Sequence, residues 1–253
     1  MSVVSDKIII DNKPENVAGF LSIISRDFSD FNDFFIIGVI IILILIAILY
    51  NGNPKYFQEF YSLPKAISLK IREESYLSVK NISGAYLLFL FVHSFLVSFV
   101  ALTIINYHKG FQQLFYFINT SGIWNASLSW LQLSMIFFAL FLAKYLFVKA
   151  ISLLFNIKGF STIHFFDFIR MSIIFFLLVL IVLCVFIFSS GSDEYIWFEP
   201  LINSIIIFFI FRVFVLFFKL YKYAPFRNLH LFLYICSTEL LPLMVGFKIL
   251  INL

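Results

Sequence analysis

Six long apolar stretches, separated by short polar segments, dominate the pattern of this chain. Each stretch is close to the roughly 20 residues that an α-helix needs to cross the ~30 Å hydrocarbon layer of a bilayer. In lipid a helix satisfies its own backbone hydrogen bonds, whereas an open strand does not. We therefore predict an all-α polytopic membrane protein whose six helices form one bundle. The predicted spans are residues 34–50, 84–106, 126–147, 167–189, 200–218 and 228–251.

The charge of the connections predicts how this bundle is oriented. Lysine and arginine concentrate in the first, third and fifth connections, whereas the fourth, after residue 189, contains neither before residue 200. Basic loops stay on the cytoplasmic side of a membrane. Six crossings then place both termini in the periplasm, with a polar N-terminal tail at residues 1–33. The residues that we assign as inner-leaflet anchors are Lys55, Lys65, Lys70, Arg72, Lys144, Lys149, Lys219, Lys222 and Arg227.

The first connection, residues 51–83, begins with an aromatic segment. Pro54 suits the first position of a helix, with Asn53 before it as the N-cap. On such a helix the aromatic residues fall on one side and the polar residues largely on the other. This pattern predicts either a short amphipathic helix on the inner leaflet or a belt of interfacial aromatic residues with basic anchors. The aromatic residues are Tyr56, Phe57, Phe60 and Tyr61.

The composition agrees with a membrane location and argues against a soluble domain and against a nucleic-acid-binding protein. Of the 253 residues, 62% are hydrophobic and 13% are charged, whereas soluble domains are about half apolar and about a quarter charged. The net charge of +4 is spread over the loops, without the clustered basic patch that binds nucleic acid. Membrane lipids are therefore the expected surroundings, with other envelope membrane proteins as further partners and no nucleic acid.

One acidic residue, Glu239, lies deep within the last apolar stretch. If this helix begins near Asn228, Glu239 lies about 16 Å along it, close to the middle of the bilayer. An acidic residue at that depth costs around 3 kcal/mol to insert, so Glu239 must face protein or water, or be protonated. Pro242 lacks the N–H that would bond the carbonyl of Thr238. The helical neighbours of Glu239 at three- and four-residue spacing form a small, mildly polar stripe that suits close helix contact. They are Cys236, Pro242 and Leu243, with Gly246 one turn further on.

Two further polar residues lie at a matching depth in other predicted spans. Arg212 lies about 10 Å, and His93 about 14 Å, from the predicted cytoplasmic edge. Arg212 either pairs with Glu239 or extends toward the inner headgroups. His93 either belongs to this cluster or is a neutral core histidine bonded to a backbone carbonyl. Glu239 is then either a structural group that fixes helix packing or a protonatable site on a transport path.

The sequence contains no enzyme signature, neither a nucleophile elbow nor an HExxH zinc motif. Its two cysteines, Cys184 and Cys236, lie in apolar stretches without metal-ligand spacing. A haem held between two helices would need two histidines at matching depth, and only His164 and His230 approach this, both at the predicted inner interface. We therefore expect no catalytic residue, no metal and no cofactor.

The last helix also resembles a known family. In YICSTELLPLMVGFK, a Tyr-x-Cys precedes a Glu-x-x-Pro and a lysine follows, at Tyr234, Cys236, Glu239, Pro242 and Lys248. The segments NPKYFQEFYS and REES, before the second span, are similar to the first cytoplasmic loop of that family. Its members are uncharacterised multi-pass inner-membrane proteins from Bacteroidota, and the family is a domain of unknown function. The resemblance implies a location in a bacterial inner membrane and little about mechanism.

Three functions fit these features. The first is a non-enzymatic integral inner-membrane protein that is a subunit or assembly factor of a cell-envelope complex. The second is a small transporter or proton-coupled element that uses Glu239 with Arg212 and His93. The third is an enzyme acting on lipid at the inner leaflet.

Overall fold

Long apolar helices make up most of the described chain. The computed structural model describes residues 30–62, 84–107, 118–154, 160–189, 198–221, 228–242, 244 and 248. Within these residues there are seven α-helices and no strand, which confirms the all-α prediction. The helices are α1 (Asp30–Gly52), α2 (Pro54–Phe60), α3 (Gly84–Tyr107), α4 (Ile123–Leu154), α5 (Phe160–Ser189), α6 (Phe198–Tyr221) and α7 (Asn228–Ile235), and a π-helix (Cys236–Leu240) follows α7.

Five of these helices are long and apolar enough to cross a membrane, so the chain is a multi-pass membrane protein. The five candidate spans are Phe31–Gly52, Tyr86–Tyr107, Ile123–Leu154, Ser161–Phe188 and Glu199–Tyr221. The last apolar helix that the structure describes, Leu231–Leu240, is shorter. The predicted sixth span, residues 228–251, lies only partly within the described residues, so a sixth crossing stays a prediction. The side of the membrane on which the termini lie is also still a prediction, and the predicted tail before residue 30 lies outside the described residues.

The helix α3 lies at the centre of the bundle and is the most buried of the five candidate spans. It contacts α1, α4 and α5. Its buried hydroxyl groups are satisfied within the helix: Ser94 donates to the carbonyl of Leu90 at 2.8 Å, and Thr103 donates to that of Phe99 at 2.9 Å. Such bonds to the preceding turn let hydroxyl residues lie in an apolar core without another partner.

The helices α1 and α3 approach closely at Gly38. A Cβ atom built on Gly38 would lie 2.2 Å from Cε2 of Phe99. The same ring stacks on Phe35 at 5.2 Å and contacts Trp130 of α4 at 5.3 Å, measured between centroids. The indole N–H of Trp130 donates to the carbonyl of Phe95 at 3.1 Å. The absence of a side chain at Gly38 therefore lets α1 come close to the central helix.

The short helix α2 packs against the bundle. Pro54 lies in its first turn, and Asn53 makes no side-chain capping bond. The Phe60 side chain is fully buried, and its ring stacks on Phe89 of α3 at 4.9 Å and on Phe166 of α5 at 5.2 Å. The aromatic side of the predicted amphipathic segment thus covers one end of the helix bundle. Residues 63–83 of that predicted segment lie outside the described residues.

Candidate functional site

The carboxylate of Glu239 contacts side chains from three other helices. Oε1 lies 2.9 Å from Nζ of Lys144 on α4 and 2.8 Å from Nε2 of His164 on α5. Oε2 accepts a hydrogen bond from Nη2 of Arg212 on α6. The Glu239 side chain is only 1% exposed. We refer to Glu239, Lys144, His164, Arg212 and Tyr234 as the Glu239 cluster.

Tyr234 joins the cluster through His164. Its hydroxyl lies 2.9 Å from Nδ1 of His164, whose ring is fully buried. A carboxylate only accepts hydrogen bonds, so the Nε2 atom that faces Glu239 carries a proton and donates it. In the neutral imidazole, Nδ1 then accepts from the tyrosine hydroxyl. Tyr234 lies near the end of α7, so this bond holds α7 against α5.

The ring of Phe168 supports both cations of the cluster. Nζ of Lys144 lies 4.0 Å, and Cζ of Arg212 lies 4.2 Å, from the centroid of this ring. An aromatic face attracts cations within about 6 Å, and the interaction strengthens when the pair is desolvated. Phe168 thus compensates part of the cost of burying two positive charges beside one carboxylate.

A widened turn positions Glu239. Residues Cys236–Leu240 form a π-helix, and the N–H of Leu241 donates to the carbonyl of Cys236. Pro242 follows one residue after the π-helix, and as a proline it has no N–H to donate to a carbonyl of the preceding turn. Single π turns of this kind occur frequently at functional sites. The hydroxyl of Thr238 donates back to the carbonyl of Tyr234 at 2.9 Å.

The first turns of α5 bind two further elements. Asp167 accepts a hydrogen bond from Nζ of Lys219 on α6 at 2.5 Å, and both side chains are buried. Arg170 lies 3.8 Å from Glu59 of α2, between Nη2 and Oε1. Together with His164, these residues recur every three positions, so each lies about 60° around the helix from the one before. One end of α5 therefore contacts α2, α6 and the π-helix through charged or polar side chains.

The Glu239 cluster has an excess of positive charge and one partly exposed member. Lys144 and Arg212 contribute two cations against one carboxylate when His164 is neutral. The Lys144 side chain is 22% exposed, whereas that of Arg212 is 4% exposed. Nη1 of Arg212 and Oδ2 of Asp167 are buried without a hydrogen-bond partner among the described residues. The cluster therefore reaches its surroundings through Lys144.

His93 lies elsewhere in the bundle. Its ring is buried and stacks on Phe141 of α4 at 5.0 Å, with Phe176 of α5 at 6.2 Å. Phe141 in turn contacts Phe168 at 6.0 Å. Neither ring nitrogen of His93 has a hydrogen-bond partner among the described residues. Aromatic rings thus separate His93 from the Glu239 cluster. It is a core histidine, as the second interpretation predicted, but without the predicted bond to a backbone carbonyl among the described residues.

The other residues of the predicted cluster differ in how far they are exposed. Thr238 is buried beside Glu239, Cys236 is half-buried, and Pro242 is exposed. Of the predicted anchors, Lys55 and Lys149 are exposed. Lys144 and Lys219 instead form ion pairs with acidic residues of the bundle, and Lys219 is too deeply buried to act as a headgroup anchor. The anchors outside the described residues are Lys65, Lys70, Arg72, Lys222 and Arg227.

Sequence reasoning missed Lys144 and His164 as partners of Glu239. The signal that marks this end of α5 is the stretch IHFFDFIR, in which His164, Asp167 and Arg170 recur at three-residue spacing inside an otherwise apolar helix. Charged residues so placed in a membrane helix require partners from neighbouring helices. Among the described residues, no group of three or more His, Cys, Asp or Glu side chains is placed to hold a metal ion.

The sequence pattern of a known family, described as Domain of unknown function (DUF4271), matches residues 35–250. The chain belongs to this family. The match includes every residue of the Glu239 cluster, as well as Asp167, Lys219 and the π-helix. No curated protein and no solved structure matches the chain. Membership of the family thus agrees with the resemblance seen in the last helix, and the function has to be argued from the geometry.

Proposed function

We propose that this chain is a non-enzymatic integral membrane protein of a bacterial inner membrane, where it is a subunit or an assembly factor of a cell-envelope complex. The observation that supports this role best is the contact of Glu239 with Lys144, His164 and Arg212. These partners lie on three different helices, so one carboxylate fixes four elements relative to one another.

The same geometry argues for a structural use of these side chains. A general acid or base has to lie within hydrogen-bond reach of a substrate. Both oxygens of Glu239 already accept bonds from protein donors, and His164 uses both of its ring nitrogens within the cluster. Buried polar groups that satisfy one another in this way rigidify the core around them. A rigid, lipid-embedded body of this kind suits a protein whose task is to hold partners in place.

A proton-coupled role for Glu239 is the second candidate, and the exposure of Lys144 favours it. Lys144 is the one cluster member with substantial exposure, and it contacts Glu239 directly. Ionisable groups within membrane helices often serve as proton relays. In this role Arg212 and Lys144 tune the protonation of Glu239. His93 is connected to the cluster only through the rings of Phe141 and Phe168.

Purification from native membranes in mild detergent distinguishes the two roles. We expect the tagged wild-type chain to copurify with other membrane proteins at a fixed stoichiometry. The variant Glu239→Gln should lose these partners in proportion to the loss of folded protein, because its effect is structural. Lys149→Ala, which removes an exposed lysine from the same helix as Lys144, serves as the matched control and should retain the partners.

Reconstitution tests the alternative directly. Liposomes that contain the purified chain and a trapped pH dye should show no protein-dependent proton flux under an imposed potential. Chain that purifies alone, together with a flux that Glu239→Gln abolishes while the variant stays folded, would overturn the structural proposal in favour of proton coupling.

A further inference from the structure

The side chain of Gln132, on α4, faces away from the described part of the protein. Gln132 is exposed, and its amide forms no hydrogen bond with the described residues. It lies within the candidate span Ile123–Leu154, which is the least buried of the five spans. The side chains around it on the same exposed side are apolar: Leu131, Met135 and Ile136 are all exposed.

Its depth prevents Gln132 from finding a partner in water. It lies nine residues after Ile123, about 14 Å along the helix, and six residues, about 9 Å, after the predicted membrane boundary at Ala126. The hydrocarbon region offers no hydrogen-bond partner. An amide left without one in an apolar medium is unfavourable. The described residues supply no such partner, so the position favours a polar group on another polypeptide.

The surface around Gln132 suits close contact with a second helix. Ala139 and Ala143 lie one turn apart on the same exposed side, two turns and three turns further along α4. Small residues at this spacing let membrane helices approach closely, and glutamine side chains hydrogen-bond across such contacts. Next to Gln132 there is a groove of about 480 Å³, which is lined in part by Ile118, Ser129 and Met135.

We propose that this face binds a second copy of the chain, with the two α4 helices parallel about a two-fold axis along the membrane normal. An amide carries both a donor and an acceptor, so two Gln132 side chains related by a two-fold axis complement each other. Copies inserted in the same orientation place Gln132 at the same depth, so the required partner lies opposite in every case. A different protein would have to supply a polar group at that depth independently. This self-association is separate from the proposed function, because it holds whether or not the chain also joins an envelope complex.

Dimerisation of the full chain in liposomes tests the proposal. Fluorescence energy transfer between singly labelled copies, measured over a range of protein-to-lipid ratios, gives the dimer affinity. We expect Gln132→Leu to weaken the dimer about tenfold, the loss expected for an interhelical hydrogen bond worth roughly 1.4 kcal/mol. Ala139→Phe, which fills the seam, should weaken it as well. The control is Asn203→Leu, which removes an exposed amide only three residues from Pro200 on α6 and should leave the affinity unchanged.

Cysteine crosslinking locates the contact. In a background with Cys184→Ser and Cys236→Ser, the variant Ala139→Cys should form a disulfide-linked dimer on mild oxidation. Ile44→Cys, on the exposed face of α1, should not. A chain that stays monomeric at every ratio, a Gln132→Leu dimer as tight as the wild type, or crosslinking at Ile44 in place of Ala139 would overturn the inference. Crosslinking of Ala139→Cys to another protein in native membranes would overturn it too, while leaving the proposed subunit role intact.

Discussion

Arg212 and Glu239, 27 residues apart in the chain, form a buried ion pair between α6 and the π-helix. Lys144 and His164 contact the other oxygen of the same carboxylate. Removing one partner of a buried pair leaves an uncompensated charge, which costs far more than the pair contributes when intact. The cluster is therefore best tested by changing its members singly and together.

Replacement of Glu239 should destabilise the folded chain strongly. Glu239→Leu leaves the buried Arg212 and the partly exposed Lys144 without a counter-charge, and we expect a loss of about 3–5 kcal/mol. Glu239→Gln should be milder, because its amide oxygen still accepts from His164 or Lys144. SDS titration from a mild detergent measures the free energy of unfolding of both variants.

The matched control for the Glu239 variants is Glu199→Gln. Glu199 is an exposed acidic residue in the first turn of α6, so its replacement should leave the free energy of unfolding close to that of the wild type. If Glu239→Gln and Glu239→Leu both retain wild-type stability, the carboxylate does not hold these helices together. If both abolish function in protein that remains folded and abundant, the structural account of Glu239 gives way to the proton-coupled one.

The fold followed from the sequence because lipid imposes simple rules on helices. The five long apolar helices are visible from the length of the apolar stretches in the sequence. Glu239 is visible in the same way, as an acidic residue within the last of these stretches. The partners of Glu239 were harder to predict, because depth along a helix does not say which face points toward which neighbour. His93 and Arg212 have similar predicted depths, yet only Arg212 contacts Glu239. Lys144 looked like a headgroup anchor because it lies near the predicted end of a span, whereas α4 continues for ten residues beyond it.

The second buried pair, Asp167 with Lys219, predicts strong energetic coupling. Asp167→Asn and Lys219→Met should each destabilise the chain, whereas the double variant should lose less than the sum of the two. Contacting residues of this kind typically couple by about 0.5–3 kcal/mol. A double-mutant cycle from the same SDS titrations measures the coupling. A sum that is simply additive would mean that the two side chains do not interact in the membrane.

His93 should be replaceable without loss of stability. Its ring nitrogens lack partners among the described residues, and burial of an unsatisfied polar group costs about 1–3 kcal/mol. His93→Phe keeps the stacking on Phe141 and removes the polar atoms, so we expect unchanged or higher stability. His164→Phe is the contrasting variant, and it should destabilise the chain because it loses the bonds to Glu239 and Tyr234. A marked loss of stability in His93→Phe that His93→Leu shares would contradict this account of His93 as an unsatisfied buried group.

The close approach of α1 to α3 predicts that Gly38 tolerates no side chain. In Gly38→Ala the new methyl group would meet the ring of Phe99 at 2.2 Å, and that ring is held by Phe35 and Trp130. Overpacking of this kind costs about 1–3 kcal/mol. Gly52→Ala is the control, because a Cβ there meets no atom within 4 Å, and it should be neutral. The combination of Gly38→Ala with Phe99→Leu, which makes room for the methyl group, should recover part of the loss, since a backbone effect at Gly38 would persist whereas a steric one is relieved.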